Sequence, residues 1–195
     1  LHNPTAGCGD HEDEDLLAVI RQAGHEVHYC STKEDGWDSS LADKYDLICA
    51  AGGDGTVDKV ATRMAGRGIP ITVLPLGTAN NIARTLGIAD DPEECVASWN
   101  AGRLAPFDLG VVEGPYDELL FVETAGVGLF PQLMPILEAL HEDISFEDED
   151  EKMSHELKSL RGLLKNCEAQ PWTLNLDGVD ASGEFLMVQA MNVSR

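Results

Sequence analysis

The stretch Tyr45–Met64, YDLICAAGGDGTVDKVATRM, contains the change of pattern that decides the fold. The apolar run Tyr45–Ala51 predicts a buried strand, since short apolar runs that end at glycine are typical of strands covered on both faces. The apolar residues of Val57–Met64 then recur at helical spacing and predict a helix. Gly52–Thr56 lies between the two, so that a strand passes through a glycine-rich turn into a helix.

Strands and helices alternate on both sides of this stretch, over residues 1–103. A first helix is predicted with Asp10 as its N-cap, and a last one begins at Asp91-Pro92, an N-cap followed by proline. The runs His25–Ser31 and Ile69–Pro75 predict further strands. This alternation with apolar strands predicts an α/β fold, in which a doubly wound parallel sheet has helices on both faces.

The pattern changes after Arg103, and residues 104–195 are predicted to form a second domain that is β-rich, β-sandwich-like and incomplete. Runs of apolar and β-branched residues indicate its strands. The predicted strands are Phe107–Glu113, Glu118–Ala125, Trp172–Leu176 and Glu184–Asn192, the last two joined through Asp177-Gly178.

A helical and acidic insertion of about 131–166 is predicted to interrupt this second domain. Its helices are expected at Pro131–Leu140 and Glu156–Lys165. The run Glu142–Glu151 between them is strongly acidic but lacks the DxDxDG spacing of a calcium loop. A solvated, mobile insertion is therefore the interpretation that the sequence favours.

The charge balance narrows the classes of function. The chain has 13 Lys and Arg against 35 Asp and Glu, a formal net charge of −22. A surface so acidic repels phosphate backbones and anionic headgroups, which argues against nucleic-acid binding and leaves at most transient peripheral membrane contact. The five cysteines form no CxxC pair and no apolar run reaches the roughly 18 residues of a membrane span, so we expect a cytoplasmic protein.

Three polar loops that contain glycine are predicted at the carboxyl ends of parallel strands: Asn3–Gly7, Gly52–Thr56 and Gly77–Asn81. Loops at these ends line one crevice, where open α/β sheets bind ligands. The first N–H groups of a following helix favour a phosphate there. Asp54 would repel that phosphate unless a metal joins them, so the pattern indicates a Mg²⁺-nucleotide. Neither a P-loop GxxxxGK[ST] nor a GxGxxG that opens a helix is present.

The motifs NPTAG at Asn3–Gly7, GGDGT at Gly52–Thr56 and PLGTANNIAR at Pro75–Arg84 together resemble the diacylglycerol kinase catalytic domain family. That family includes sphingosine kinases and bacterial lipid kinases. FDLG at Phe107–Gly110 and FVETAGVGLF at Phe121–Phe130 resemble the start of its second, β-rich domain. The resemblance covers essentially the whole chain. It implies an enzyme that transfers a phosphoryl group from ATP to a lipid, with Mg²⁺ as cofactor.

The resemblance also implies roles for particular residues. Asp54 and Glu123 are the expected catalytic carboxylates, Asp54 also as the metal ligand and Glu123 on the side of the acceptor lipid. The expected ATP-binding residues are those of the three loops and one threonine after the second strand: Asn3, Pro4, Thr5, Ala6, Gly7, Thr32, Gly52, Gly53, Asp54, Gly55, Thr56, Gly77, Thr78, Asn80 and Asn81.

Some positions depart from the family pattern. Asp58-Lys59 replaces the usual Asn-Glu, and Asn81 replaces the usual aspartate of GTxND. Two alternatives therefore stay open: an NAD kinase-like enzyme, although its GxLGFL segment is absent, and a non-catalytic module that binds nucleotide or lipid. We also expect the catalytic base to lie beyond residue 195, the chain alone to be inactive on lipid, and unpaired sheet edges to promote homo-oligomers.

Overall fold

The computed structural model describes residues 1–7, 11–115, 117–144, 146 and 148–193. The chain divides into two compact units. The first consists of Leu1–Thr124 together with Met191–Arg195, and the second of Ala125–Ala190. The predicted domains of this chain, 1–103 and 104–195, stay a prediction.

A parallel pair of strands lies at the centre of the first unit. Strand β1 (Ile48–Gly52) pairs with β2 (Ile71–Pro75), with Ile48 opposite Ile71 and Gly52 opposite Pro75. His2 extends this arrangement through parallel bridges to Ala51 and to Ser31. The predicted strands Tyr45–Ala51 and Ile69–Pro75 are thus confirmed as β1 and β2, each beginning two or three residues later than expected.

The predicted strand His25–Ser31 is wrong in extent, since Ser31 alone takes part in a bridge. Its only strand-like contacts are with His2, whose N–H donates to Cys30 and whose carbonyl accepts from Thr32. A strand needs a ladder of such bonds along its length. Within the described part of the chain, residues 25–30 have no such ladder.

Four α-helices surround the strands: α1 (Asp13–Gln22), α2 (Asp54–Met64), α3 (Asn81–Thr85) and α4 (Pro92–Trp99). A 3₁₀ helix spans Trp37–Ala42. The predicted start of α4 is confirmed, because the Asp91 carboxylate accepts the Glu94 N–H at 2.9 Å and Pro92 occupies the first helical position. The predicted N-cap Asp10 lies outside the described residues, and the residue that precedes α1 is Glu12.

The apolar core lies on both faces of the strand pair. On one face, α2 and α3 pack side chains such as Val60 and Ile82 against Ala50 and Val73; Val60 and Ala50 have no exposed surface. On the other face, α1 and α4 pack Ile20, Cys95 and Val96 against Ala51 and Leu74. Burying one such aliphatic side chain contributes about 1.5–3 kcal/mol. The prediction of helices on both faces is confirmed.

The remainder of the chain is rich in short strands. In the first unit, β3 (Gly110–Glu113) pairs antiparallel with β4 (Glu118–Phe121). The strands that follow are β5 (Thr124–Gly128), β6 (Gln170–Trp172), β7 (Asn175–Leu176), β8 (Val179–Asp180), β9 (Gly183–Phe185) and β10 (Met187–Met191). They form the pairs β5–β10, β6–β9 and β7–β8. Asp177 and Gly178 both have positive φ, 51° and 90°, and close the β7–β8 hairpin. The predicted turn is thus present, but the strand that follows it is β8, and the predicted partner strand Glu184–Asn192 is replaced by β9 and β10, which pair with β6 and β5.

The helical insertion is present as α5 (Leu129–Asp143) and α6 (Glu149–Asn166). Helix α6 begins well before the predicted Glu156, because the Asp148 carboxylate caps it by accepting the Glu151 N–H at 2.8 Å. The acidic run Glu142–Glu151 is therefore helical at both of its ends, at 142–143 and at 149–151. Ser145 and Glu147 lie outside the described residues, and the mobility of the run stays a prediction. None of the helices in the described ranges is long and apolar enough to cross a bilayer.

Candidate functional site

A crevice of about 290 Å³ lies where the three predicted loops meet in the first unit. Asn3–Gly7 follows the bridged residue His2, Gly52–Thr56 follows β1, and Gly77–Asn81 follows β2. The three loops share this edge because the strands before them run parallel. The predicted convergence is what the structure shows.

Glycines allow the loops to approach one another. A Cβ at Gly77 would collide with the Cα of Gly53, and a Cβ at Gly7 would lie 2.5 Å from the carbonyl oxygen of Leu76. Gly7 also has φ +58°, which favours glycine. Gly55 differs from these, because nothing lies within 4 Å of its Cβ position. Three glycines therefore serve loop contact, and Gly55 leaves open space in the crevice.

Asn80 holds the third loop in shape. It has φ 49° and is buried. Its side-chain oxygen accepts the Gly77 N–H at 3.0 Å, and its amide nitrogen donates to the carbonyls of Pro75 and Gly77 at 3.2 and 2.7 Å. The side chain is thus used inside its own loop.

Asp54 joins the second loop to the third. It is the first residue of α2, and its two carboxylate oxygens accept the backbone N–H groups of Asn81 and Ile82 at 3.0 and 2.9 Å. These are N–H groups that a helix start leaves without intrahelical partners. The carboxylate of α2 therefore caps α3.

Glu123 follows β4 and is held from three sides. The side-chain amide of Asn81 donates to Glu123 Oε1 at 3.0 Å. The Asp58 carboxylate accepts the N–H of the preceding residue, Val122, at 3.1 Å. Asn192 donates from its backbone to the Glu123 carbonyl at 2.8 Å and from its side chain to the Val122 carbonyl at 2.9 Å. This places the predicted carboxylate beside the Gly77–Asn81 loop.

The first loop is fixed by polar contacts of its own. Asn3 Oδ1 accepts from the N–H and the hydroxyl of Thr5, at 3.3 and 3.1 Å. The Asn3 carbonyl accepts the Ala6 N–H at 3.1 Å. The Ala6 carbonyl lies 3.0 Å from Nε2 of His11, which follows the loop. The loop is therefore held by contacts to both its N–H groups and its carbonyl groups.

A larger cavity of about 500 Å³ lies between segment 24–30 and segment 44–49. Its lining includes Leu1, whose amino group donates to the Cys49 carbonyl at 2.9 Å. Burial lowers the pKa of that amino group. None of the predicted site residues lines this cavity, so its size does not make it the candidate site.

A metal cage made by the protein alone is not found among the described residues, where no group of three or more His, Cys, Asp or Glu is close enough to hold an ion. Asp54 already accepts two backbone N–H groups. Each carboxylate oxygen retains a further lone pair. A Mg²⁺ that arrives with nucleotide phosphates needs only one or two protein carboxylates, and Asp54 fits that requirement.

Comparison with known proteins identifies the family of this chain. The model of the diacylglycerol kinase catalytic domain matches residues 1–112, which contain all three loops. The chain belongs to this family. The curated relatives from this family include proteins named lipid kinase and diacylglycerol kinase.

Two curated relatives from this family illustrate the similarity. The probable lipid kinase YegS-like of Pseudomonas aeruginosa is 38% identical over 135 residues, which are 66% of this chain and 43% of that protein. The diacylglycerol kinase of Bacillus subtilis is 34% identical over 144 residues, 68% of this chain and 46% of that protein. This chain therefore spans less than half the length of either relative.

Solved structures of diacylglycerol kinases confirm the fold. A diacylglycerol kinase from Bacillus anthracis matches 98% of this chain and 62% of its own, with 23% identity and a TM-score of 0.63. A second structure from that organism gives the same coverage, with 27% identity and a TM-score of 0.66. The mixed α/β fold with a strand-rich C-terminal region is thus shared.

The structure brings about half of the predicted nucleotide-binding residues to the crevice wall. Those on the wall are Asn3, Ala6, Gly7, Gly53, Gly55, Thr56, Gly77 and Thr78. Those outside the wall are Pro4, Thr5, Thr32, Gly52, Asp54, Asn80 and Asn81, most of which brace the loops. Their part in ATP binding stays a prediction.

Sequence reasoning did not anticipate where Lys59, Asp58 and Asn192 lie at the candidate site. Lys59 lines the crevice, Asp58 holds Val122, and Asn192 holds Val122 and Glu123. A signal for Lys59 was available, since it lies one helical turn after Gly55 on α2. The contact between Asn192 and Val122 joins residues 70 positions apart, and no local sequence pattern predicts it.

Proposed function

We propose that this chain is the ATP-binding part of a lipid kinase, which transfers the γ-phosphoryl group of ATP to a lipid hydroxyl. The observation that carries the proposal is the crevice, in which three glycine-bearing loops meet at the carboxyl edge of the parallel strands. Membership of the diacylglycerol kinase catalytic domain family supports it. The lipid acceptor follows from the names of the relatives, a lipid kinase and a diacylglycerol kinase.

Phosphoryl transfer passes through a loose transition state, so that catalysis consists mainly of positioning and charge neutralisation. Among the described residues that line the crevice, Lys59 is the one with an ionisable side chain, and it is exposed. In a chain with a net charge of −22, a cation beside Gly53 and Gly55 offsets repulsion of the phosphates. We assign Lys59 to phosphate binding.

Mg²⁺ supplies neutralisation of phosphate charge when it is bound with the nucleotide. Asp54 is the protein carboxylate we assign to it. Because Asp54 also caps α3, the same side chain sets the position of Gly77–Asn81 relative to the Gly52–Thr56 turn. Glu123 is the carboxylate we assign to the acceptor side, with Asn81 as the residue that orients it.

The acidic surface of the chain also affects which membranes and nucleic acids it can bind. We propose that lipid is reached through transient peripheral contact, without attraction to anionic headgroups, and that nucleic acid is no partner. Homo-oligomers and a cytoplasmic location remain part of the same proposal.

Equilibrium titration with ATP tests the binding step. We expect ATP to bind this chain, more tightly with Mg²⁺ than with chelator. Lys59→Gln should weaken the affinity by about three- to tenfold, the effect of one solvent-screened charge. Arg21→Gln is the matched control, since Arg21 is an exposed cation in the last turn of α1 and is absent from the crevice wall. Absence of ATP binding would contradict the proposal.

Turnover separates a kinase from a non-catalytic module. The protein that contains this sequence is incubated with labelled ATP and Mg²⁺, in one reaction with a panel of lipids with free hydroxyls, including diacylglycerol, and in a parallel reaction with NAD. Label in a lipid product supports the kinase. ATP binding without any lipid product favours the nucleotide- or lipid-binding module, and label in NAD in place of lipid favours the NAD kinase-like alternative.

A further inference from the structure

Two histidines lie in contact behind the first loop of the crevice. His2 Nε2 is 3.0 Å from His11 Nδ1, and the imidazole rings meet edge to face with centroids 5.0 Å apart. His2 Nδ1 is 2.8 Å from the Asp13 carboxylate, and His11 Nε2 is 3.0 Å from the Ala6 carbonyl. A continuous chain of contacts thus runs from Asp13 at the start of α1 to the Asn3–Gly7 loop.

The partners determine how many protons this chain of contacts needs. An ionised carboxylate and a carbonyl oxygen only accept hydrogen bonds. His2 Nδ1 and His11 Nε2 must therefore each carry a proton. The contact between the two rings needs one proton more, on either His2 Nε2 or His11 Nδ1. Three protons are required in total, whereas two neutral imidazoles have two.

We propose that His2 and His11 together hold one additional proton, as a singly charged pair balanced by Asp13, and that this pair is a positioning element for the Asn3–Gly7 loop. The proton on His11 Nε2 holds the Ala6 carbonyl, and Ala6 and Gly7 belong to the crevice wall. The consequence for phosphate binding rests on the proposed function, but the proton count does not.

Burial locates the additional charge within the pair. His2 is 2% exposed, and burial lowers its pKa; the Asp13 carboxylate opposes that effect and His11 adds to it. His2 therefore stays neutral, with its proton on Nδ1 toward Asp13. In the proposed pair, its Nε2 accepts a hydrogen bond from the third proton, which lies on His11 Nδ1. The additional proton then lies on the residue that contacts the loop.

The other ionisable groups that face His2 among the described residues are the Tyr29 hydroxyl and the Leu1 amino group. Burial, followed by hydrogen bonding to Asp13, raises the pKa of Tyr29 to about 12, so the phenol stays protonated. The Leu1 amino group lowers the pKa of His2, and burial lowers its own. These neighbours favour a neutral His2 and leave Asp13 as the counter-ion.

Two pH steps follow from the count. As pH rises, the pair loses its additional proton, and either the bond to Ala6 or the bond between the rings is lost. As pH falls, a second proton reaches His2 Nε2, and two N–H groups then face each other. The steps belong to the pair as a whole. The loop is held best between them, and an anion in the crevice favours the charged pair.

Nitrogen-detected NMR of the imidazoles in the ligand-free chain tests the proton count directly. Near neutral pH we expect three protonated ring nitrogens and one bare nitrogen, His2 Nε2, over the two rings. Two protonated nitrogens, one on each ring, would overturn the inference. This readout needs no nucleotide, so its result is independent of the proposed function.

The loop supplies the second readout. The backbone amide signal of Gly7 should follow the two steps of the pair as pH is varied, and His11→Gln should abolish that response. His28→Gln is the control, because His28 is an exposed histidine outside this chain of contacts. A Gly7 response that persists in His11→Gln would overturn the positioning role.

Calorimetry with ATP in two buffers of different ionisation enthalpy completes the test. Above the upper pH step, binding should take up a proton in the original chain and none in His11→Gln. If ATP fails to bind while NMR shows three protons and a titrating Gly7, the proposed function fails and the inference about the pair stands. If ATP binds and NMR shows two protons, the inference fails alone.

Discussion

The side-chain amide of Asn81 donates a hydrogen bond of 3.0 Å to the carboxylate of Glu123. The two residues are 42 positions apart, and the backbone N–H of Asn81 is bound at the same time by Asp54. One residue therefore connects the two carboxylates that we assign to catalysis. An aspartate, which the sequence motif usually has at this position, would face Glu123 with a second carboxylate.

Asn81→Asp should reduce the free energy of unfolding at neutral pH by about 1–3 kcal/mol, since an attractive contact becomes a repulsive one. The pKa of one carboxyl in the new pair rises, so the loss should shrink as pH falls and a proton joins the two groups. Urea unfolding at several pH values measures this. The double variant Asn81→Asp with Glu123→Gln is the control, because an amide donor is restored; a loss that persists there would contradict the explanation.

Asp54→Asn should also destabilise the chain, by about 1–3 kcal/mol. One of the two backbone N–H groups at the start of α3 loses its acceptor, and the other keeps only a neutral amide oxygen. Urea unfolding against Asp35→Asn, an exposed aspartate with the same change of charge, isolates this effect. An unchanged unfolding midpoint would show that the cap does not contribute to the free energy of unfolding. Measuring ATP affinity with and without Mg²⁺ in the same variant separates capping from a role at the metal.

Gly77→Ala and Gly55→Ala should have opposite effects. The new Cβ at Gly77 collides with Gly53, so we expect a loss of about 1–3 kcal/mol from overpacking. Gly55 lies in α2 with open space around it, and alanine there should raise stability by about 0.5–1 kcal/mol. Its methyl group would occupy the crevice and weaken ATP binding. Thermal unfolding and ATP titration of both variants test this, and equal effects on stability would contradict it.

The thiols of Cys95, which is buried, and of Cys49, which is partly buried, should resist alkylation in the folded chain. Burial raises the pKa of Cys49 to about 12 and that of Cys95 to about 11. At about pH 8 the thiolate fraction of Cys95 is then roughly a hundredfold below that of an ordinary thiol. Mass spectrometry of each labelled site gives the rates, with the urea-unfolded chain as reference. Equal rates in the two states would contradict the burial of these residues.

The same two pKa values predict a loss of stability in alkaline solution. Both thiols ionise at a higher pH in the folded chain than in the unfolded chain. Their contribution to the free energy of unfolding is therefore complete below the pKa of the unfolded chain and is lost as pH rises toward the pKa of the folded chain. Cys95→Ala should reduce this slope in urea unfolding.

The sequence by itself determined the positions of the three loops and their meeting at one edge. A strand, a glycine turn and a helix are encoded locally at Gly52–Thr56, and parallel strands bring equivalent turns together. Local patterns did not predict two features correctly. At His25–Ser31 a strand would need a paired neighbour along its length, and only Ser31 has a bridge. At α6 the Asp148 cap places the start of the helix earlier than the pattern predicted.

Only the tertiary structure decided what each polar group contacts. Asp54 belongs to the family motif, and both of its carboxylate oxygens accept backbone N–H groups of α3. The Asn80 side chain hydrogen-bonds within its own loop. The pairs Asn81–Glu123 and His2–His11 depend on the distance and direction of side chains that sequence spacing does not give. The reason is physical: periodicity fixes the faces and ends of elements, whereas a hydrogen bond requires donor and acceptor within about 3 Å, which only packing provides.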